Sequence, residues 1–142
     1  MKMSQTISFH YDVPGDDFTR AGEASASVKK TLRQLGVRPD VIRKVAIALY
    51  EGEINMVIHA DGGYIDVDID SEKVSLALCD HGKGIENIEL AMQEGYSTAP
   101  DEVRSLGFGA GMGLSNMKKN SDEMRIESTV GVGTSVYMTI RL

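Results

Sequence analysis

The sequence predicts an α/β protein: a two-layer sandwich in which a mostly antiparallel, mixed sheet has helices on one face. Several segments alternate apolar and polar residues and are joined by short turns, which is typical of neighbouring antiparallel strands. Two longer segments have apolar residues at helical spacing, and both precede most of the strands. The chain has 142 residues, close to the commonest domain size, so we expect a single domain over residues 1–142.

The first part of the chain predicts one strand and two helices. Residues 6–11 alternate in polarity and are followed by a Pro-Gly pair, as at a strand that ends in a turn. The apolar residues of Asp16–Leu35 fall along one stripe, which predicts an amphipathic helix. From Pro39 to about His59, apolar residues cover nearly the whole helical circumference, so we expect this helix to be buried between layers.

A hairpin is predicted next. Tyr64–Asp70 and Lys73–Cys79 are two alternating segments separated by a short polar turn. The row Asp66, Asp68 and Asp70 resembles a cation site, but an open sheet face explains the alternation without a metal ion. We therefore assign no function to this row.

The last third of the chain changes character. Between residues 80 and 113 the sequence is rich in glycine and short polar residues, with one short helical stretch at 88–93, which indicates a binding loop. A helix is then predicted at about 113–120, followed by a strand at 124–129, a glycine-containing turn at 131–133 and a last strand in which Val136, Met138, Ile140 and Leu142 alternate with other residues.

Composition excludes several classes of partner. There are 21 acidic and 15 basic residues, and no stretch gathers enough Lys or Arg to bind nucleic acid. No apolar segment is long enough to span a membrane, and the first residues are too polar for a signal peptide. The single cysteine, Cys79, is expected to be a buried free thiol, which fits a reducing cytoplasm.

Asp80, Gly82 and Gly84 directly follow an apolar strand. A carboxylate there can accept a hydrogen bond from an exocyclic amine, while the glycines let the chain turn closely under a flat base. Taken alone, the pattern indicates an ordinary turn.

Four glycines at alternate positions precede the predicted helix at 113–120: Gly107, Gly109, Gly111 and Gly113. Backbone amides without neighbouring side chains form an anion site suited to a polyphosphate, although a flexible loop without a ligand is the alternative. The spacing matches neither a P-loop nor a Rossmann fingerprint, so another phosphate-binding architecture is required.

Glu51 and Asn55 lie four residues apart and therefore on one face of the apolar helix. A buried carboxylate and amide need partners, and an Asn carbonyl oxygen is a suitable Mg²⁺ ligand. Glu51 could then orient or deprotonate a nucleophile. Glu53 points elsewhere and is expected to be a solvated or packing-edge carboxylate, whereas His59 continues the row in the last turn.

These motifs, in this order, resemble those of the GHKL ATPase superfamily of gyrases, heat-shock chaperones, histidine kinases and mismatch-repair proteins. They are Glu51-x-x-x-Asn55, Asp80-x-Gly82-x-Gly84, the segment from Gly107 to Leu114, and Gly131-Val132-Gly133-Thr134. The resemblance covers about residues 40–142 and implies a Bergerat-type ATP-binding fold.

Within the superfamily, the short chain and residues 94–98 are similar to the stand-alone anti-sigma-factor and switch-kinase branch. That resemblance implies a cytoplasmic serine/threonine protein kinase that uses ATP and Mg²⁺ to phosphorylate a small antagonist-type protein. Some members of the branch also sequester a sigma factor, and a homodimer is compatible with it.

The resemblance also implies a role for each motif residue. Asp80 would bind adenine beside Gly82, Gly84 and Thr134, Asn55 would bind Mg²⁺, Glu51 would act as general base, and Gly107, Gly109, Gly111 and Gly113 would bind the phosphates. Whether Arg104 reaches the γ-phosphate stays open.

Two other functions are compatible with the same motifs. One is an ATP-dependent sequestering module without significant kinase activity, although nucleotide binding alone needs no base such as Glu51. The other is the catalytic subunit of a histidine kinase. Residues 1–39 predict one strand and one helix, too little for a dimerising helical hairpin, and His10 lies in the predicted strand.

Overall fold

The computed structural model describes residues 6–15, 20–59, 62–82, 84–85, 88, 92 and 113–142. In this part of the chain, five strands form one sheet in the order β1-β2-β3-β5-β4, and every neighbouring pair is antiparallel. The strands are β1 (Ile7–Pro14), β2 (Gly62–Ile69), β3 (Lys73–Asp80), β4 (Glu123–Thr129) and β5 (Gly133–Arg141). The predicted antiparallel sheet is confirmed.

Among the described residues, three helices cover one face of this sheet: α1 (Glu23–Gln34), α2 (Pro39–His59) and α3 (Gly113–Lys119). Helix α2 packs against the sheet and lies between the other two helices. Alternate residues of the strands point into the layer between sheet and helices and form the core. Its largest fully buried side chains include those of Leu32, Leu49, Ile65, Ile69, Leu76, Met138 and Ile140. The two-layer sandwich is therefore confirmed.

The other face of the sheet is polar, and its carboxylates have partners. The imidazole of His10 lies between Asp66, with Nδ1 and Oδ1 2.5 Å apart, and Asp12, with Nε2 and Oδ1 3.0 Å apart. These two hydrogen bonds raise the pKa of His10, because only the charged ring can donate from both nitrogens. Ser8 Oγ donates to Asp68, and Asp70 accepts the backbone amides of residues 72 and 73.

The cysteine also lies on this polar face. Cys79 is half-buried and pairs with Tyr64 across β2 and β3, so the expectation of a fully buried thiol was wrong. The reason is strand parity, because the residues of β3 that point into the core are Val74, Leu76 and Leu78.

Helix α2 is less enclosed than its composition predicts. Arg43, Lys44 and Tyr50 are exposed on its outer side, because α1 and α3 flank the helix and no described element covers it from outside. The expectation of a helix buried all round was therefore wrong, whereas its predicted bounds are confirmed. Although α2 has 21 residues, none of the described helices is both long and apolar enough to span a membrane.

The first helix begins later than the hydrophobic stripe predicts. Gly22 has a φ of 98°, which lies in the left-handed region, and the helix starts at Glu23. Residues 20–22 form a bend and a turn, and residues 16–19 lie outside the described part of the chain. Gly22 provides no side-chain cap, so the first amides of α1 need another acceptor.

Glu53 of α2 is that acceptor. Its two carboxylate oxygens accept the backbone amides of Ala24, at 3.2 Å, and Ser25, at 3.1 Å. The residue is only 3% exposed, so the expectation of a solvated or packing-edge carboxylate was wrong. A carboxylate at a helix N-terminus satisfies orphan amides and opposes the helix dipole, and here it also joins α1 to α2.

We expect Glu53→Gln to destabilise the protein by about 1–3 kcal/mol, because one buried acceptor is replaced by a donor that faces another amide. Glu23→Gln is the matched control, since the Glu23 side chain is 62% exposed and should change stability by less than about 1 kcal/mol. Urea unfolding at neutral pH measures both changes. Equal losses for the two variants would contradict the capping role of Glu53.

Candidate functional site

Glu51 and Asn55 lie on the side of α2 that faces α3. Asn116 Nδ2 donates to Glu51 Oε1 at 3.3 Å, and Asn55 Nδ2 lies 4.0 Å from Met117 Sδ. Glu51 and Asn55 are both half-buried. The structure therefore places the two predicted residues on one helical face, as their four-residue spacing requires.

The start of α3 packs directly on the side chain of Asn55. A Cβ atom added to Gly113 would lie 2.8 Å from Asn55 Nδ2 and 3.0 Å from its Oδ1. These distances are shorter than ordinary van der Waals contact, so a side chain at position 113 would displace the amide. Only glycine lets the backbone of α3 approach Asn55 this closely.

Asp80 joins the end of β3 to the start of β5. Its Oδ1 accepts the backbone amide of Gly82 at 2.9 Å and that of Thr134 at 3.0 Å. Thr134 is 8% exposed, whereas Asp80 is half-buried. One oxygen of Asp80 thus connects Gly82, which belongs to the same motif as Asp80, with Thr134, which belongs to the motif at 131–134.

Ser128 extends this cluster, and sequence reasoning missed it. Its Oγ accepts the amide of Ile85 at 2.7 Å and lies 2.8 Å from Thr134 Oγ1. The only sequence signal is the hairpin register, which pairs Ser128 with Thr134 across the turn. The same hydroxyl therefore fixes both the segment after Asp80 and the threonine beside it.

Gly84 is confined by the same hairpin. It has a φ of 82°, and a Cβ there would lie 2.6 Å from the backbone oxygen of Thr129. A side chain at this position would be strained by its backbone conformation and would also collide with β4. The second glycine of the Asp80 motif is thus required by close backbone packing.

The Asp80 cluster lies beneath the half of α2 that carries Asn55. A Cβ on Gly63 would lie 2.7 Å from Asp80 Cα and 2.8 Å from Met56 Cε. Gly63 therefore lies next to both Asp80 and Met56, the residue that follows Asn55 in α2. The structure therefore brings the Asp80 and Glu51–Asn55 motifs to the same end of the sheet.

Several predicted site residues fall outside the described part of the chain. These are Gly107, Gly109, Gly111 and Arg104. His59 is the last residue of α2, and its side chain is also outside that part. The phosphate-binding loop therefore stays a prediction, with Gly113 as its one described residue.

The chain belongs to the histidine kinase-like ATPase domain family, whose model matches residues 16–140. Membership of an ATPase domain family implies ATP binding, and the resemblance found in the sequence is confirmed.

Among its relatives are proteins named anti-sigma F factor. The one from Anoxybacillus flavithermus is 35% identical over 121 residues, which cover 81% of this chain and 80% of the relative. The one from Priestia megaterium is 33% identical over an alignment of 145 residues, covering 97% of this chain and 92% of the relative.

A solved structure is also similar to this fold. It is the crystal structure of the RsbU and RsbW domains of a Mycobacterium tuberculosis protein, with a TM-score of 0.65 and 17% sequence identity. The match covers 96% of this chain but only 32% of that one. At this identity the likeness shows the fold alone, and the chain spans about a third of that structure's length.

Proposed function

We propose that the chain is an ATP- and Mg²⁺-dependent serine/threonine protein kinase that acts as an anti-sigma or switch regulator. Its substrate would be a small antagonist-type protein, and a sigma factor would be a second partner. One observation carries the proposal: Glu51 and Asn55 share a face of α2 at the end of the sheet where Asp80 lies. The names of the anti-sigma F relatives support the regulatory part.

Asp80 is suited to binding the adenine base. Its Oδ1 is occupied by the amides of Gly82 and Thr134, which fixes the carboxylate plane. The second oxygen, Oδ2, would accept the exocyclic amine of adenine. Gly84, held close to β4, would let the chain pass beneath the base.

Asn55 is suited to holding Mg²⁺. Its amide nitrogen faces Met117 Sδ, so its carbonyl oxygen is the atom for a cation. The ion, when bound, neutralises phosphate charge and orients the phosphate oxygens. Gly107, Gly109, Gly111 and Gly113 would supply backbone amides to the same phosphates.

Glu51 would act as the general base in the transfer. It would accept the proton of an acceptor Ser or Thr hydroxyl as that oxygen forms a bond to the γ-phosphorus. The bond from the γ-phosphorus to the β,γ-bridging oxygen breaks, and ADP leaves with the electron pair. Nucleotide binding alone needs no general base, so a chemical role for Glu51 favours the kinase.

The relatives' names favour a second candidate function. They describe sigma-factor antagonism and no transfer chemistry, so an ATP-dependent sequestering module would carry the same names. The two functions differ in whether Glu51 contributes to a chemical step.

Asn55→Ala is expected to weaken ATP binding by at least about tenfold in Mg²⁺ and much less in EDTA, because the lost oxygen acts through the ion. Asn120→Ala is the matched control, since Asn120 follows α3 and its side-chain amide donates to the Asn116 carbonyl at 2.8 Å at the C-terminal end of that helix. Calorimetry under the two conditions measures the difference. Equal losses with and without Mg²⁺ would reject Asn55 as a ligand.

A further inference from the structure

We propose that Asn116 is a positioning residue for Glu51, and this inference rests on the proposed kinase function. Asn116 lies on α3, three residues after the last glycine of the phosphate-binding loop, and belongs to none of the four motifs. Its Nδ2 donates to Glu51 Oε1 at 3.3 Å across 65 residues of sequence, and both side chains are half-buried.

Two contacts hold α3 in the position that makes this hydrogen bond. At one end, Gly113 packs on the Asn55 amide. At the other, Met117 is 1% exposed, and its Cε would lie 3.2 Å from a Cβ on Gly52. Met117 directly follows Asn116 in α3, and Gly52 directly follows Glu51 in α2. The packing of Met117 on Gly52 therefore sets the distance between Asn116 and Glu51.

The C-terminal end of α3 adds a third restraint. The carbonyl oxygen of Asn116 accepts both the backbone amide of Asn120, at 3.2 Å, and its side-chain amide, at 2.8 Å. The backbone that carries Asn116 is thus fixed independently of the contact with Glu51.

The hydrogen bond would select one orientation of the carboxylate. The terminal torsion of a glutamate is broad and roughly two-fold, so an unrestrained Glu51 would sample many orientations. A donor on Oε1 restricts that rotation and leaves Oε2 to receive the proton of the acceptor hydroxyl. The side-chain amide of Asn116 neither gains nor loses a proton near neutral pH, so it is not itself an acid or a base, and its proposed contribution to transfer acts through Glu51.

The contact itself is tested without an acceptor protein. In the full chain labelled with ¹⁵N-asparagine, the side-chain NH₂ signal of Asn116, assigned from Asn116→Leu, should shift in Glu51→Gln, because the amide then donates to a neutral acceptor in place of the glutamate side chain. An Asn116 side-chain signal that is unchanged in Glu51→Gln would overturn the proposal.

The functional test is a double-mutant cycle on single-turnover transfer from γ-labelled ATP. The acceptor is the protein fraction that the immobilised chain retains from an extract of its own cells. Asn116→Leu should slow transfer about tenfold while ATP affinity changes less than about twofold, and it should have no further effect in the Glu51→Gln background. Lys118→Ala, exposed on the same helix, is the control and should transfer normally.

Asn116→Asp provides a readout that a purely structural role would not move. It places a like charge beside the base, so the acidic limb of the pH–rate profile should move to higher pH. If Glu51→Gln slows transfer but the Asn116 variants do not, the positioning role is wrong and the kinase proposal stands. If Glu51→Gln itself transfers normally per folded molecule, both proposals are overturned.

Discussion

Glu51→Gln is expected to reduce phosphoryl transfer to the acceptor protein by about two orders of magnitude or more, while ATP affinity changes less than about threefold. The substitution keeps the size of the side chain and its contact with Asn116 but removes the group that accepts the proton. Single-turnover transfer from labelled ATP, measured beside a thermal melt, reports rate per folded molecule.

The neighbouring carboxylate Glu53 is the natural contrast. It lies two residues further along the same helix but faces the first amides of α1. Glu53→Gln should therefore lower stability and leave transfer per folded molecule near normal. If Glu51→Gln behaved in the same way, Glu51 would be a structural residue, and the sequestering function would replace the kinase.

Asp80→Asn is expected to weaken ATP binding roughly ten- to a hundredfold, equivalent to about 1.5–3 kcal/mol. One oxygen of the amide can still accept the amides of Gly82 and Thr134, but the other position becomes a donor facing the adenine amine. The loss should therefore appear in binding and leave the cluster around Ser128 folded.

Asp66→Asn is the matched control for this variant, because Asp66 lies on the polar face of the sheet and bonds His10. Calorimetry with ATP should give an unchanged affinity for Asp66→Asn. An unchanged affinity for Asp80→Asn as well would reject Asp80 as the adenine acceptor.

The elements with strong local patterns were predictable from the sequence. Strict alternation in β2 predicted the open sheet face that carries Asp66 and Asp68, and Pro39 marked the start of α2. The four-residue spacing of Glu51 and Asn55 likewise required a shared face. Such patterns carry information about neighbours within one turn of helix or one hairpin.

Contacts between distant segments were not predictable in this way. The start of α1 depends on the positive φ of Gly22 and on the carboxylate of Glu53, which lies 29 residues after Ala24 and 28 residues after Ser25. Asn116 meets Glu51 only because α3 packs against α2, which no periodicity within either helix encodes. Ser128 was recoverable in principle, but only by counting register from an accurately placed turn.

The most direct test of the proposed kinase is transfer of the labelled γ-phosphate from ATP–Mg²⁺ to the protein fraction that the immobilised chain retains from its own cells. We expect a phosphoserine or phosphothreonine on one small retained protein, formed within a single turnover and reduced at least about a hundredfold by Glu51→Gln. Retention of a partner and normal ATP binding without any such label, or label that persists unchanged in Glu51→Gln, would contradict the proposed mechanism.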